Sequence, residues 1–414
     1  MKRLAVAALC LSLASVSSAA NWPGWRGPTS NGVAAQGSYP TKWTTSENVA
    51  WKVELPGKGA STPVVWDARI FVTFGRDGKN VLAAYDRSGK PQWDVVLGSE
   101  KGGKHQKATG CNPSATTDGK HVFAYFKSGD LACLTPDGKI VWQTNLQKEF
   151  GEDTLWWDLG TSPVLTEKDV VVACMQTGPS YLAAFDKTTG KLHYKADRNL
   201  GAPEEAAQSY STPIVVSEGG VETMYVLGAD FITAHNTTDG AEQWRVGGLN
   251  PTNHKYFRSI AGPVVSDGVI VAPYARGATV TAVKLGGKGD VTKTHIAWVK
   301  EGLGADVPTP AAMGGKAYVC TDKGRVCCLD VKTGDILSEV TLEKNRVGYS
   351  SSPVLAGGKV YVTREDGKTF VLDAADGLKV VGDNDLGEQI VATPVLVDGK
   401  ILLRTMSSLY CIGK

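Results

Sequence analysis

The side chains best suited to recognise a ligand are aromatic and charged residues in loops that are longer than a tight hairpin turn needs. Trp and Arg dominate the energy of many binding interfaces. Binding, rather than a covalent reaction, is therefore the chemistry that these residue types predict. The candidate residues are Trp157, Asp158, Tyr256, Arg258, Asp306 and Arg346.

Sequence signatures of catalysis and of metal binding are weak by comparison. The six histidines stand alone, without a second ligand at metal spacing. Asp383-Asn384-Asp385 lacks the Gly and the distal Glu of a calcium loop. Neither a Gly-x-Ser-x-Gly elbow nor a phosphate-binding Gly loop occurs. We therefore predict no catalytic residue and no metal site from these patterns.

The candidate residues precede segments that repeat along almost the whole chain. A small or hydroxyl residue, a Pro and two or three apolar residues recur, with the prolines 50, 50, 50, 50, 47, 43 and 41 residues apart. Self-similarity at such a period is typical of a solenoid or a propeller. The prolines are Pro63, Pro113, Pro163, Pro213, Pro263, Pro310, Pro353 and Pro394.

Each repeat has the pattern of four short strands joined by tight turns. In the second repeat, the predicted strands are residues 113–116, 122–125, 131–134 and 140–142. Asp-Gly and Ser-Gly pairs supply the positive φ that hairpins need, so neighbouring strands should pair antiparallel. Four-stranded meanders repeated head to tail are propeller blades. An aromatic four residues after the third-turn Gly should wedge against the next blade, as at Trp142.

The last repeat lacks its outer strand, and residues 48–55 can supply it. This segment alternates apolar and polar residues, with Trp51 at the position of the wedging aromatic. Joining the two ends would leave no exposed strand edge between the first and last blades. We predict an all-β, eight-bladed propeller over residues 43–414, preceded by an N-terminal strap over residues 21–42.

The N-terminus has the pattern of a signal peptide. Lys2 and Arg3 precede an apolar segment, and small residues end at Ala20, so we predict a Sec-type leader over residues 1–20 and a periplasmic or secreted protein. The bulky Leu9 before Cys10 does not match a lipoprotein signal. No later segment is long and apolar enough to span a membrane.

Charge and cysteine content limit the possible partners. Without Lys2 and Arg3, 42 basic residues face 42 acidic ones, which argues against nucleic acid as a partner. The seven remaining cysteines are an odd number, and three of them occupy equivalent places in different repeats. We expect small core residues there. We also expect a monomer that binds a protein partner or small ligand on the loop face.

The phrase Asp-x-x-Thr-Gly-Lys-x-x-Trp resembles the repeat of quinoprotein propellers, which PQQ-dependent alcohol dehydrogenases share with BamB. The resemblance to the dehydrogenases implies that PQQ and calcium would lie at the centre of one face of the propeller, beside a vicinal disulfide. Cys327-Cys328 falls in a predicted strand instead of a loop, and Leu155 to Leu159 matches the dehydrogenase Trp-Asp-Tyr-Asp motif only in part. No haem-binding Cys-x-x-Cys-His is present.

The loops that lead into the inner strands of a propeller gather on one face around the axis. The six candidate residues lie in such loops and should lean over a shared funnel. Loops on a rigid scaffold are where binding is usually placed. We therefore predict an exported, non-enzymatic scaffold that binds a protein or ligand and needs no cofactor; the alternative is an oxidoreductase that uses PQQ and calcium.

Overall fold

A computed structural model describes residues 20–414 of the protein. The predicted signal peptide, apart from Ala20, and Cys10 lie outside the described residues. Within residues 20–414, no helix is long and apolar enough to cross a membrane.

Residues 20–414 form eight antiparallel meanders of four strands each, and one of the eight sheets has a fifth strand. In the first half of the chain the strands are β1 (Val49–Glu54), β2 (Val64–Trp66), β3 (Arg69–Arg76), β4 (Lys79–Asp86), β5 (Pro91–Ser99), β6 (Thr116–Thr117), β7 (Val122–Tyr125), β8 (Asp130–Leu134), β9 (Ile140–Asn145), β10 (Val164–Leu165), β11 (Asp169–Cys174), β12 (Tyr181–Asp186), β13 (Leu192–Asp197), β14 (Ile214–Glu218), β15 (Val221–Gly228), β16 (Phe231–Asn236) and β17 (Glu242–Val246).

The second half adds the strands β18 (Val264–Ser266), β19 (Val269–Tyr274), β20 (Thr279–Lys284), β21 (Gly289–Asp290), β22 (Ile296–Glu301), β23 (Ala311–Met313), β24 (Lys316–Cys320), β25 (Arg325–Asp330), β26 (Ile336–Thr341), β27 (Val354–Ala356), β28 (Lys359–Thr363), β29 (Lys368–Asp373), β30 (Lys379–Asp385), β31 (Val395–Val397), β32 (Lys400–Arg404) and β33 (Ser408–Ile412). The short helices are α1 (Leu146–Phe150), α2 (Thr292–His295) and the 3₁₀ turns Glu204–Ala207 and Ala275–Gly277.

The burial of each strand reflects its place in the blade. The middle strands β3 and β4 are buried along nearly their whole length, since both of their faces are covered by neighbouring blades. Outer strands such as β13 and β26 alternate between exposed and partly buried residues, because only one face is covered. The strand β21 pairs parallel with β17 and covers part of its edge.

The ring closes as predicted, and the fold class is confirmed. Strand β1 pairs antiparallel with β33, placing Trp51 opposite Cys411 and Val53 opposite Leu409. The N-terminal strand is thus the outer strand of the last blade, and the sheet order β1-β33-β32-β31 completes the eighth meander.

The outer-strand aromatics lie over the glycine of the next blade's third turn. The indole nitrogen of Trp142 donates to the Lys187 carbonyl oxygen at 3.0 Å, and a Cβ added to Gly190 would lie 2.5 Å from the Trp142 ring. Only a glycine leaves room for this contact. Trp51 makes the same contact with Gly89, so the closing interface is built like the others.

A belt of hydroxyl groups joins the inner ends of the blades around the axis. In seven of the eight blades, a Ser or Thr just before the inner strand accepts a hydrogen bond from the backbone N–H of the equivalent residue in the preceding blade, at 2.7 to 3.3 Å. Gly262 takes the place of the hydroxyl residue in the fifth blade. The belt residues are Thr62, Ser114, Ser162, Thr212, Thr309, Ser352 and Thr393.

The belt corrects the predicted start of the second blade. Ser114, and not Asn112, occupies the position equivalent to Thr62, so the inner strand is Thr116–Thr117 and not residues 113–116. Pro113 here belongs to the loop, where its carbonyl oxygen accepts from the Thr73 hydroxyl at 3.2 Å.

The segment from Trp22 to Trp43 crosses the end of the channel opposite the loop face. Trp22 forms a bridge with Val65 in the first blade, and the Asn31 side chain exchanges two hydrogen bonds with the Val265 backbone in the fifth. Between these contacts, Trp25 lines two cavities, one at the loop face and one on the side of the N-terminal segment. The N-terminal segment therefore closes one end of the channel.

The seven cysteines of residues 20–414 are all free thiols, and six of them are buried; Cys174 is half-buried. Burial raises the pKa of Cys111 and of Cys133 to about 12. Both thiols therefore stay protonated and pack as small apolar side chains.

Candidate functional site

A cavity of about 500 Å³ lies on the axis at the loop face, and we call it the funnel. Its floor contains Trp25 and five of the belt hydroxyl residues, and its wall comes from the loops ahead of the inner strands. Wall residues include His105, Lys107, Trp157, Asp158, Tyr210, Arg258 and Arg276.

Trp157 is exposed at the funnel and held in place by its neighbours. Its indole nitrogen donates to Glu205 Oε1 at 2.9 Å, and its backbone N–H donates to the Tyr210 hydroxyl at 3.1 Å. The His105 ring packs edge-on against the indole, with 6.3 Å between ring centroids. An aromatic that is both exposed and fixed loses little side-chain entropy on binding.

Asp158 lines the funnel but acts as an anchor for the neighbouring loop. Its carboxylate accepts backbone hydrogen bonds from Lys104 and His105 at 2.9 Å. It also forms a buried ion pair with Lys127. The charge of Asp158 is therefore neutralised inside the protein, and its role is to fix the loop that carries His105 and Lys107.

Arg258 reaches the funnel wall while its guanidinium group is directed toward acidic residues behind the wall. Its two Nη atoms donate to the Asp306 carboxylate at 3.1 and 3.3 Å, and Nε lies 3.4 Å from Glu205. Behind this pair, Asp322 accepts hydrogen bonds from the Asp306 and Val307 backbone, and burial raises the pKa of Asp322. Arg258 thus positions the wall, and Asp306 lies behind it.

The two remaining predicted residues are placed differently. Tyr256 is exposed on the outer part of its loop, beside His254, and does not line the funnel. Arg346 is exposed and also lies outside the lining. The structure therefore brings Trp157, Asp158 and Arg258 together at one cavity and leaves Tyr256 and Arg346 at its periphery.

The prediction missed Arg276, which lines the funnel from a different type of loop. It lies in the turn between β19 and β20, where the first, second and seventh blades have the pairs Asp77-Gly78, Ser128-Gly129 and Asp366-Gly367. Such turns share a face with the loops before the inner strands, because the strands of a blade alternate in direction. A bulky charged residue in place of a small turn residue was the available signal.

Arg276 adopts a left-handed backbone conformation, with φ of 53° and ψ of 43°. Ala275 before it also has a positive φ, of 55°. Gly277 after it packs against the Asp306 backbone, where a Cβ would approach within 3.0 Å. A non-glycine residue in this region carries a conformational cost, and such strain tends to be found at functional sites.

Lys107 contributes a second cation, and it is paired. Its ammonium lies 2.6 Å from the buried Glu365 carboxylate, which also accepts from the Ser350 hydroxyl at 2.6 Å. This contact links the second blade's loop to the seventh blade across the funnel.

The paired cysteines Cys327 and Cys328 lie on strand β25, outside the funnel lining. They are free thiols, as the strand position predicted. Among residues 20–414, no group of three or more His, Cys, Asp or Glu side chains is arranged to hold a metal ion.

The sequence matches the family model described as outer membrane protein assembly factor BamB, over residues 16–195, 137–294 and 279–408. A sequence search of curated proteins found no match.

Several solved structures share the fold at low sequence identity. BamB from Moraxella catarrhalis has a TM-score of 0.65 at 14% identity, covering 88% of this chain and 99% of that one. A europium-containing methanol dehydrogenase has 0.72 at 11%, covering 95% and 98%. Quinohemoprotein alcohol dehydrogenase from Comamonas testosteroni has 0.70 at 14%, covering 97% and 82%. These likenesses confirm the predicted resemblance in fold.

Proposed function

Since the chain belongs to the family of outer membrane protein assembly factor BamB, we propose that it is an exported, non-enzymatic scaffold that binds a protein partner through the loop face around the funnel. The name of the Moraxella catarrhalis relative and the export predicted from residues 1–20 support this role. The strap closes the opposite end of the channel, so the loop face is where the axis is open.

One observation carries the proposal: two adjacent tryptophans are exposed and fixed on this face. Trp156 and Trp157 are 44% and 45% exposed. The Trp156 backbone N–H donates to Gln208 Oε1 at 2.9 Å, and Trp157 is held by Glu205 and Tyr210. Large aromatics that are exposed on rigid backbone are the side chains most often found at the centre of protein interfaces.

The residues of the funnel do not suit the calcium ion of the alternative function, an oxidoreductase that uses PQQ and calcium. Such hard cations take six or more oxygen ligands. The acidic side chain in the lining is Asp158, and its oxygens already accept from two backbone N–H groups and from Lys127. These contacts therefore favour the scaffold over the oxidoreductase.

A photo-crosslinking side chain tests the proposed surface directly. Benzoylphenylalanine replaces Trp157 in one variant and Leu337 in the matched control, because Leu337 is 50% exposed on the outer strand β26. After irradiation of producing cells, we expect a discrete protein adduct from position 157 and none from position 337. Equal labelling at both positions, or none at position 157, would refute the scaffold role of this face.

Once the crosslinked partner is identified, Trp157→Ala should weaken its binding by about 1 to 3 kcal/mol, as interface tryptophans do. The melting temperature of the Trp157→Ala variant should stay close to that of the parent protein because the Trp157 side chain is exposed. If binding is unchanged in the variant, Trp157 only covers the funnel wall and does not bind the partner.

A further inference from the structure

The floor of the funnel presents hydroxyl hydrogens that have no acceptor within residues 20–414. Five belt hydroxyls line it, and each oxygen accepts a backbone N–H at 2.9 to 3.3 Å. A hydroxyl keeps one hydrogen to donate after accepting such a bond. The five residues are buried, at most 3% exposed. They are Thr62, Ser114, Ser162, Ser352 and Thr393.

These hydroxyls come from five different blades, so together they surround the axis. The hydrogen bonds of the belt, from backbone N–H groups to these side-chain oxygens, hold the hydroxyls in position without a ligand. A set of buried donors without acceptors favours a ligand oxygen, because unpaired buried donors are costly.

Arg276 supplies the unbalanced charge of the funnel. The other charged residues of the lining have partners: Lys107 with Glu365, Asp158 with Lys127, and Arg258 with Asp306. Arg276 is exposed to the cavity and forms no ion pair within the described part of the chain. Arg276 is therefore the one charged residue of the lining without an ion-pair partner among the described residues.

We infer that the funnel binds a carboxylate group, with the Arg276 guanidinium as its counter-ion and the belt hydroxyls as its hydrogen-bond donors. The planar fork of an arginine side chain matches the two oxygens of a carboxylate. One unpaired guanidinium suits a singly charged group better than a phosphate dianion. The inference rests on the proposed function only in placing binding at the funnel.

Two sources could present this group: a free organic acid, or the carboxylate of an acidic peptide segment. Isothermal titration with acetate, which carries one carboxylate, tests the first source. Titration with an acetylated, amidated hexapeptide of Glu and Gly tests the second, with the Gln peptide as its uncharged control. Inorganic phosphate is titrated alongside to test the charge argument.

Arg276→Gln is the diagnostic variant, and Arg346→Gln is its matched control, because Arg346 is exposed but lies outside the lining. We expect Arg276→Gln to weaken the probe that binds by about tenfold or more, the loss of about one charge-assisted hydrogen-bonded contact. Arg346→Gln should stay within about twofold of the parent.

Arg276→Gly distinguishes a binding residue from a structural one. Glycine adopts a left-handed φ without strain, so this variant should melt at a higher temperature than the parent and still lose binding. A residue kept for the fold would lose stability instead.

Failure of both carboxylate probes to bind at about 10 mM, where a millimolar site would be filled, overturns the inference. So does binding that survives Arg276→Gln unchanged, or phosphate binding more tightly than either carboxylate. Each of these results leaves the crosslinking test at position 157 unaffected, so the scaffold proposal can stand or fall separately.

Discussion

Gly262 interrupts the hydroxyl belt, and restoring the missing hydroxyl should stabilise the ring. The backbone N–H of Thr212 has no acceptor within residues 20–414, whereas its counterparts in the other seven blades donate to a Ser or Thr of the next blade. The blade that should supply this acceptor carries Gly262. Gly262→Ser is therefore the substitution that completes the belt.

The site has room for the new side chain. A Cβ on Gly262 would lie 3.4 Å from the Thr212 carbonyl oxygen and 3.5 Å from Thr309 Oγ1, which are ordinary contacts. Gly262 does not need a left-handed backbone, since its φ is not in that region. The substitution should therefore introduce no strain.

The expected gain has two parts that a control separates. A new buried hydrogen bond contributes about 0.5 to 1.5 kcal/mol, and the loss of glycine's freedom in the unfolded chain contributes about 0.4 to 1 kcal/mol. Gly262→Ser should therefore raise the free energy of unfolding by about 1 to 2.5 kcal/mol. Gly262→Ala should gain only the second part.

Guanidinium unfolding of the three proteins, followed by tryptophan fluorescence, measures the difference. The midpoint should rise from parent to Gly262→Ala and again to Gly262→Ser, at an unchanged slope. If the serine variant is no more stable than the alanine variant, the belt hydroxyls are incidental contacts and the reasoning is refuted.

Three further predictions concern closure, blade contacts and pH. Deleting residues 21–56 removes β1 and the strap, so the product should aggregate or lose cooperative melting; normal melting would contradict the closure. Trp142→Ala should lower the free energy of unfolding, measured in urea, by roughly 3 kcal/mol because the contact with Gly190 is lost; an unchanged free energy would contradict the importance of that contact. Burial lowers the pKa of His235 to about 4, so stability should fall as pH drops from about 6.5 to about 4, with the effect absent in His235→Gln.

The sign for His235 follows from its contacts. One ring nitrogen lies 2.9 Å from the Gly240 carbonyl oxygen and the other 2.8 Å from the Thr233 hydroxyl, an arrangement that suits the neutral ring. Arg198 and Arg245 also disfavour a charged ring. The unfolded chain binds the proton more readily than the folded protein does. The contribution of neutral His235 to stability is therefore complete above about pH 6.5 and is lost as the pH falls from about 6.5 to about 4. An unaltered profile in His235→Gln would contradict this assignment.

The repeat period predicted the blades because each blade is a local meander, and its turns and apolar strands are encoded within one repeat. The prediction of an inner strand over residues 113–116 was wrong because it, too, used only the residues within one repeat. Proline fits both a loop and the entry to a strand, so the residue type alone could not separate the two positions. The belt hydroxyl, which is defined by a contact with another blade, fixed the register at Ser114.

The ion pairs between residues that are far apart in the sequence were the part of the site that could not be predicted. Arg258 was predicted as a ligand-facing cation, but Asp306 and Glu205 lie close enough to engage it. Trp25 lies in a Gly- and Pro-rich segment without periodicity, so its place in the channel could not be read from spacing. Charge type is visible in a sequence, whereas the identity of the counter-ion depends on how blades come together.

The strap explains why the two ends of the channel are not equivalent. Arg26 is buried in it and donates to the carbonyl oxygens of Pro310 and Pro353 at 2.7 and 2.9 Å, and no carboxylate of residues 20–414 pairs with it. Desolvation lowers the pKa of Arg26 to about 9, which is the mark of a buried cation that lacks a counter-ion. Such a group persists only where many other contacts hold its segment, here Trp22 on the first blade and Asn31 on the fifth. Because the same segment continues into β1, which closes the ring, the sealed floor of the funnel and the integrity of the propeller depend on one stretch of chain.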